Sequence, residues 1–99
     1  KFAFSFEGYI KINTDGIYNF FTISDDGSKL FIEDKEAVNN DGEHGGIEKT
    51  GKALLKKGLH KIRIVYFDSG GGNELKVMMQ QEGGIKQSIP VSMLFHHEL

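Results

Sequence analysis

The sequence predicts an all-β domain, an antiparallel sandwich or barrel, on three observations. Apolar residues recur with period two along most of the chain, the pattern of half-buried strands. No window keeps apolar residues at i, i+3, i+4 and i+7 for the roughly ten to twelve residues a helix needs. Clusters of Gly and Asp break the alternation at regular spacing, which divides the chain into about seven or eight short strands.

Phe2, Phe4 and Phe6 alternate with Ala3, Ser5 and Glu7, and the same phase resumes at Ile10 and Ile12. This reads as a strand pair interrupted by a bulge or bend at Gly8. Asn13-Thr14-Asp15-Gly16 is a turn cluster carrying the Asp-Gly signal for positive φ. Ile17 to Ile23 is apolar on both faces and reads as a central strand covered on both sides. Ser24-Asp25-Asp26-Gly27-Ser28 breaks it, and a short strand over Lys29 to Glu33 meets a turn at Asp34-Lys35. A shorter strand near Ala37-Val38 gives way to a loop from Asn39 to Gly46, rich in Gly and Asn. Strands follow over Ile47–Leu55 and Leu59–Phe67, with Lys56-Lys57-Gly58 as the turn between them. A second glycine-rich loop, Ser69 to Asn73, precedes a strand over Leu75–Met79. The end, Ser88 to Phe95, carries the single proline, Pro90, at a strand or turn edge.

With 99 residues and 11.1 kDa the chain has room for a single domain, residues 1–99. It opens in the middle of a strand pattern at Lys1-Phe2, which reads as a module of a larger protein. A hydrophobic fraction of 38% is that of a globular domain rather than a disordered chain. Twelve basic and 14 acidic residues alternate in sign for a net charge of −2, so no basic field exists to attract nucleic acid. No apolar run approaches the ~20 residues of a membrane helix, so no membrane insertion is expected. Zero Cys excludes disulfides, thiolate metal sites and a Cys nucleophile.

Catalysis finds no motif. There is no Gly-x-Ser-x-Gly elbow, no His-Glu-x-x-His helix and no phosphate-cradling Gly-Lys-Ser/Thr. A lone sandwich of this size seldom offers the deep two-carboxyl cleft of a glycosidase. His60 reads as a surface or edge strand residue, and His96-His97 as part of a frayed end. The domain is expected not to be an enzyme by itself.

Asp25-Asp26-Gly27 supports two readings. One is a hairpin turn in which Gly27 takes positive φ and the Asp side chains bond local N–H groups. The other is a Ca²⁺ site, since calcium takes six to eight hard oxygens and adjacent carboxylates supply charge. Successive side chains on an extended strand diverge, so both could face one ion only on a distorted backbone, of which a non-proline cis peptide is one form. An EF-hand is excluded because Gly27 and Lys29 stand where ligands are required. The loops Asn39–Gly46 and Asp68–Asn73 could add oxygens and close backbone approach, or could be plain solvated connections. Trp is absent, and Tyr66 and Phe67 fit strand alternation better than a sugar-stacking platform.

Several stretches in order resemble one family. These are Phe6-Glu7-Gly8-Tyr9-Ile10, Asp15-Gly16-Ile17-Tyr18 with Phe20, and Ser24 through Ile32. Asn40 through Gly45, Gly58 through Phe67 with Gly70-Gly71-Gly72, and Ile89-Pro90 near Leu94-Phe95 complete the set. From about Phe4 to Phe95 the chain resembles the PA-fourteen domain, named after the anthrax protective antigen, in the form that trails bacterial N-acetylhexosaminidases. The resemblance implies a β-sandwich or barrel that lacks N-terminal strands of the full family domain. It implies a non-catalytic carbohydrate-binding accessory module of a secreted, periplasmic or cell-surface bacterial glycosidase, with glycan and the parent's catalytic domain as partners. By the same resemblance Asp25, Asp26 and Asp68 hold Ca²⁺, and Asp25, Asp26, Ser69, Gly70, Gly71 and Asn73 meet the sugar. This chain departs from the adhesins of the family in placing Asp68 where they carry an amide, and a glycine run where they carry sugar-contacting side chains. The alternative is a structural or protein-interaction module that packs against its parent and binds neither sugar nor metal.

Overall fold

Period-two alternation obliges each strand to bury one row of side chains, so two sheets must face each other. The computed structural model of the chain describes residues 2–40, 46–68, 74–90 and 94–98, and the side chains of Phe2, Asp68, His96, His97 and Glu98 lie outside that description. The strands are β1 (Phe2–Ile12), β2 (Gly16–Asp25), β3 (Ser28–Ile32), β4 (Lys35–Asn40), β5 (Ile47–Leu55), β6 (Gly58–Asp68), β7 (Glu74–Gln81), β8 (Gln87–Ile89) and β9 (Phe95–Glu98). One sheet has the order β4-β3-β6-β1-β9 and the other β5-β2-β7-β8. Every pairing is antiparallel. The all-β antiparallel sandwich is therefore the fold. Among the described residues no helix is long and apolar enough to cross a membrane.

The core lies between the sheets. From the five-stranded sheet come Ile10, Ile12, Leu30, Ile32, Val38, Ile62 and Ile64; from the four-stranded sheet come Tyr18, Phe20, Leu55 and Val77. Along β2 the inward row changes character, with Tyr18 and Phe20 followed by Thr22 and Ser24, all buried. β2 is central, between β5 and β7, but only one of its faces is covered by a sheet. On the other face Ile17 is exposed and Phe21 is half-buried beneath the Lys86 ammonium, 4.1 Å from the ring centroid.

Several local expectations change. Gly8 makes no bulge, because β1 pairs with β6 in unbroken register from Phe2↔Asp68 to Ile12↔Gly58. Its missing side chain instead leaves room for Leu94, whose Cδ2 stands where a Cβ would point. Gly16 and Gly27 are not among the left-handed residues, which among the described residues are Glu33 (φ 51°), Asp34 (φ 66°), Gly58 (φ 135°) and Gly83 (φ 84°). At the β1–β2 connection Asp15 Oδ1 accepts the Lys57 N–H at 2.7 Å, and the Tyr18 hydroxyl donates to Thr14 O at 2.6 Å. β4 runs on through Asn39 and Asn40, which had been expected in a loop, because both continue the ladder with β3. His96 and His97 are paired with Phe6 and Ser5 rather than frayed.

The two sheets meet at the β4–β5 side through one close approach. β4 shifts register against β3 between Leu30↔Val38 and Phe31↔Glu36, which leaves Ala37 as the extra residue. The Ala37 carbonyl faces Gly51 of β5, at the place a Cβ would occupy. Backbone cannot yield there as a side-chain tip could. Gly51→Ala is expected to lower the unfolding free energy by about 1–3 kcal/mol, read from urea melts, whereas Gly8→Ala, facing only the end of Leu94, should cost less.

Candidate functional site

The corner at Asp25-Asp26-Gly27 is a crossing between sheets. β2 ends in the four-stranded sheet and β3 begins in the five-stranded one, so the hairpin reading does not hold. A strand that leaves its sheet loses ladder partners, and the buried peptide groups must find others. Here β6 supplies them. The Asp26 N–H donates to Phe67 O at 3.2 Å, and the Phe67 N–H donates to Gly27 O at 2.8 Å. The Tyr66 hydroxyl donates to Asp25 O at 2.6 Å. Ser24 and Ser28 Oγ, fully buried, join the two stems of the corner at 2.7 Å. The Asp25–Asp26 peptide is cis. Asp26 is only 8% exposed, and Asp25 is half-buried.

Register brings other connections to the same end. Ser24 lies opposite Ile47 and Ser28 opposite Asn40, so the two stems of the β4–β5 crossover flank the two stems of the corner. Asp25 lies opposite Glu74, the first residue of β7, and Tyr66 opposite Ser28 near the end of β6. Asn40, 1% exposed, ties the crossover down: its Nδ2 donates to Ile47 O at 2.7 Å and to Thr22 O at 3.2 Å, with Thr22 Oγ1 at 3.4 Å. An amide has two hydrogens, so the two carbonyls take them.

Asp25 and Asp26 are thus brought to one corner beside the end of β6. Asp68 is the last residue of β6, one position beyond Phe67, to which the corner is bonded; its carboxylate lies outside the described atoms. Ser69, Gly70, Gly71 and Asn73 lie outside the described residues. Among the described residues no three His, Cys, Asp or Glu side chains gather as a metal-ligand set. The donors present at the corner are carboxylates and carbonyls, hard oxygens that suit a hard cation rather than a thiophilic metal. Residues that sequence reasoning passed over are Asn40, Ser24 and Ser28. A signal existed, since Asn40 follows Val38 in inward phase, and Thr22 and Ser24 follow Phe20.

The PA14 domain family model matches residues 1–92. No match is found among curated proteins. Among solved structures, the chain is similar to an anti-sigma factor domain-containing protein (TM-score 0.83, 21% identity, 94% of this chain and 33% of that one). It is similar to a PA14 sugar-binding domain from an RTX adhesin (TM-score 0.78, 26% identity, 89% of this chain and 50% of that one). It is also similar to a beta-glucosidase from Kluyveromyces marxianus (TM-score 0.70, 21% identity, 81% of this chain and 11% of that one). The chain therefore spans half or less of each of these structures.

Two substitutions test the corner's supports. Tyr66→Phe removes one buried donor and leaves Asp25 O without it; the expected loss is about 1–2 kcal/mol in a denaturant melt. Asn40→Ala withdraws the donor from two carbonyls at once, and its midpoint should fall further than that of Tyr66→Phe. A midpoint equal to wild type for either variant would show that water replaces the donor without cost.

Proposed function

The chain belongs to the PA14 domain family, and from that membership we propose a non-catalytic, carbohydrate-binding accessory module of a secreted or periplasmic bacterial glycosidase. The observation that carries the reading is the corner itself. Two neighbouring carboxylates stand where the chain crosses between sheets, at the end of the sandwich where β6 finishes and the β4–β5 crossover passes. The similar adhesin structure is a sugar-binding PA14 domain, and a beta-glucosidase contains the same fold. These support the assignment of sugar as ligand and of a glycosidase as parent.

Asp25, Asp26 and Asp68 would hold a calcium ion, and Ser69, Gly70, Gly71 and Asn73 would line the sugar's approach. Bound there, calcium would offer coordination positions to two vicinal hydroxyls of a hexose. The protein's own part is to hold the carboxylates still. Phe67 fixes the corner's backbone, Tyr66 fixes Asp25 O, and the Ser24–Ser28 contact fixes the stems. No acid–base or nucleophilic role is assigned to any residue.

A second reading, a module that packs against its parent, draws support from the exposed apolar side chains Leu54, Ile85 and Phe95. The two readings part in one pair of experiments. Calcium bound only by the folded chain raises its stability by mass action, so the melting temperature should rise with added calcium and fall back with EDTA. Asp26→Asn should abolish the difference. On a glycan array, signal present with calcium and absent with chelator supports the lectin reading. Identical melts with and without chelator, together with a blank array, would overturn it in favour of packing.

A further inference from the structure

At the other end of the sandwich a groove of about 550 Å³ opens between the β3–β4 turn and the β5–β6 turn. Ile32, Ala37, Ala53 and Leu55 line it as an aliphatic floor, and Lys35, Lys52 and Lys56 stand around it. Glu33 and Glu36 also border it, so the rim carries three lysines and two carboxylates. Glu33 Oε1 accepts the Lys61 N–H at 3.1 Å and lies 3.2 Å from His60 Nδ1, while Glu36 Oε1 lies 3.9 Å from Lys29 Nζ. Lys52 reaches Glu82 at 3.7 Å with both side chains more than half exposed, a weak pair. Among the described residues Lys35 and Lys56 have no carboxylate partner.

Three lysines against two glutamates leave the lining with a formal charge of +1, in a chain whose net charge is −2. Apolar surface continues past its lip. Leu54 is 80% exposed, and its cross-strand neighbour Ile17 is 43% exposed on the same outer face. Among the described residues no Phe, Tyr or Trp lines the groove, so it lacks the broad flat platform on which a pyranose stacks. An aliphatic floor rimmed by cations complements a segment that is apolar at its centre and acidic on its flanks.

We infer that this groove docks an acidic peptide segment, with one aliphatic side chain on the Ile32–Leu55 floor and its carboxylates on Lys35 and Lys56. The surface is distinct from the Asp25–Asp26 corner. Ser24↔Ile47 pairs beside the corner and Gly16↔Leu55 beside the groove, a separation of roughly 26 Å at about 3.3 Å per residue. The domain would then present a glycan at one end and hold a protein segment at the other. The inference does not depend on the sugar-binding reading.

The test is fluorescence polarisation of the 99-residue chain with a fluorescein-labelled acidic octapeptide that carries one central leucine. Its counterpart with amides in place of the carboxylates serves as control. Binding of the acidic probe alone, weakened by salt at about 0.5 M, is the expected result. Joint Lys35→Glu and Lys56→Glu should weaken it about tenfold or more, and Leu54→Asp, at an exposed position that does not threaten folding, should weaken it as well. Asp25→Asn and Asp26→Asn should leave it unchanged, which separates failure here from failure of the glycan site. No binding of the peptide, equal binding of its amide counterpart, or affinity indifferent to all three groove substitutions would overturn the proposal. Binding of an oligogalacturonate in place of the peptide, lost on the same lysine reversals, would overturn it in favour of an acidic saccharide.

Discussion

A strand that leaves one sheet for another carries its peptide groups out of the ladder while they are still buried, and each must find a new partner. That requirement governs the end of the sandwich where Asp25 and Asp26 stand. The chain passes from one sheet to the other there three times, at residues 25–27, between Asn40 and Ile47, and between Asp68 and Glu74. The described stems of the first two are held by specific donors. Phe67 and Tyr66 serve the first, and the Asn40 amide serves the second through Ile47 O and Thr22 O. At this end the inward row of β2 turns from Tyr18 and Phe20 to Thr22 and Ser24, where Ser24 Oγ meets Ser28 Oγ and Thr22 O accepts the Asn40 amide. The Tyr66 hydroxyl and the Asn40 amide serve where carbonyls must be met, and aliphatic side chains suffice where the ladder is complete.

This division of labour separates two kinds of surface on one small scaffold. The polar, hydrogen-bonded end fixes the backbone that carries Asp25 and Asp26. The opposite end closes with short turns, one of them formed by Glu33 and Asp34 in left-handed conformation. It leaves Leu54 and Ile17 exposed and, among the described residues, Lys35 and Lys56 without a carboxylate partner. Strands joining the two ends at constant register, as β1 and β6 do over eleven residue pairs, make the separation rigid.

Strand positions were legible because burial on one face writes itself into every second residue. Ile47–Leu55 is bounded in the structure as the alternation bounds it, and Leu59–Phe67 lies within β6. Glycines were read less well. Gly8 and Gly51 serve close packing against Leu94 and Ala37, contacts from residues far away in the chain, while Gly16 and Gly27 do not use the positive φ their turn sequences suggest. Asn39 and Asn40 were hidden by composition. Two adjacent asparagines before Asp-Gly look like loop, yet Asn40 occupies an inward strand position because buried carbonyls wait for it there.

The sequence alone settles that this chain is β throughout and which two neighbouring acids could act together, because alternation and adjacency are local properties. It leaves open whether Ser24 to Ser28 is a hairpin or a crossing, since the same Asp and Gly chemistry serves either turn. Only the tertiary structure decides that. The partners that fix the corner, Tyr66 and Phe67, lie some forty residues further on, and nothing within the turn specifies them.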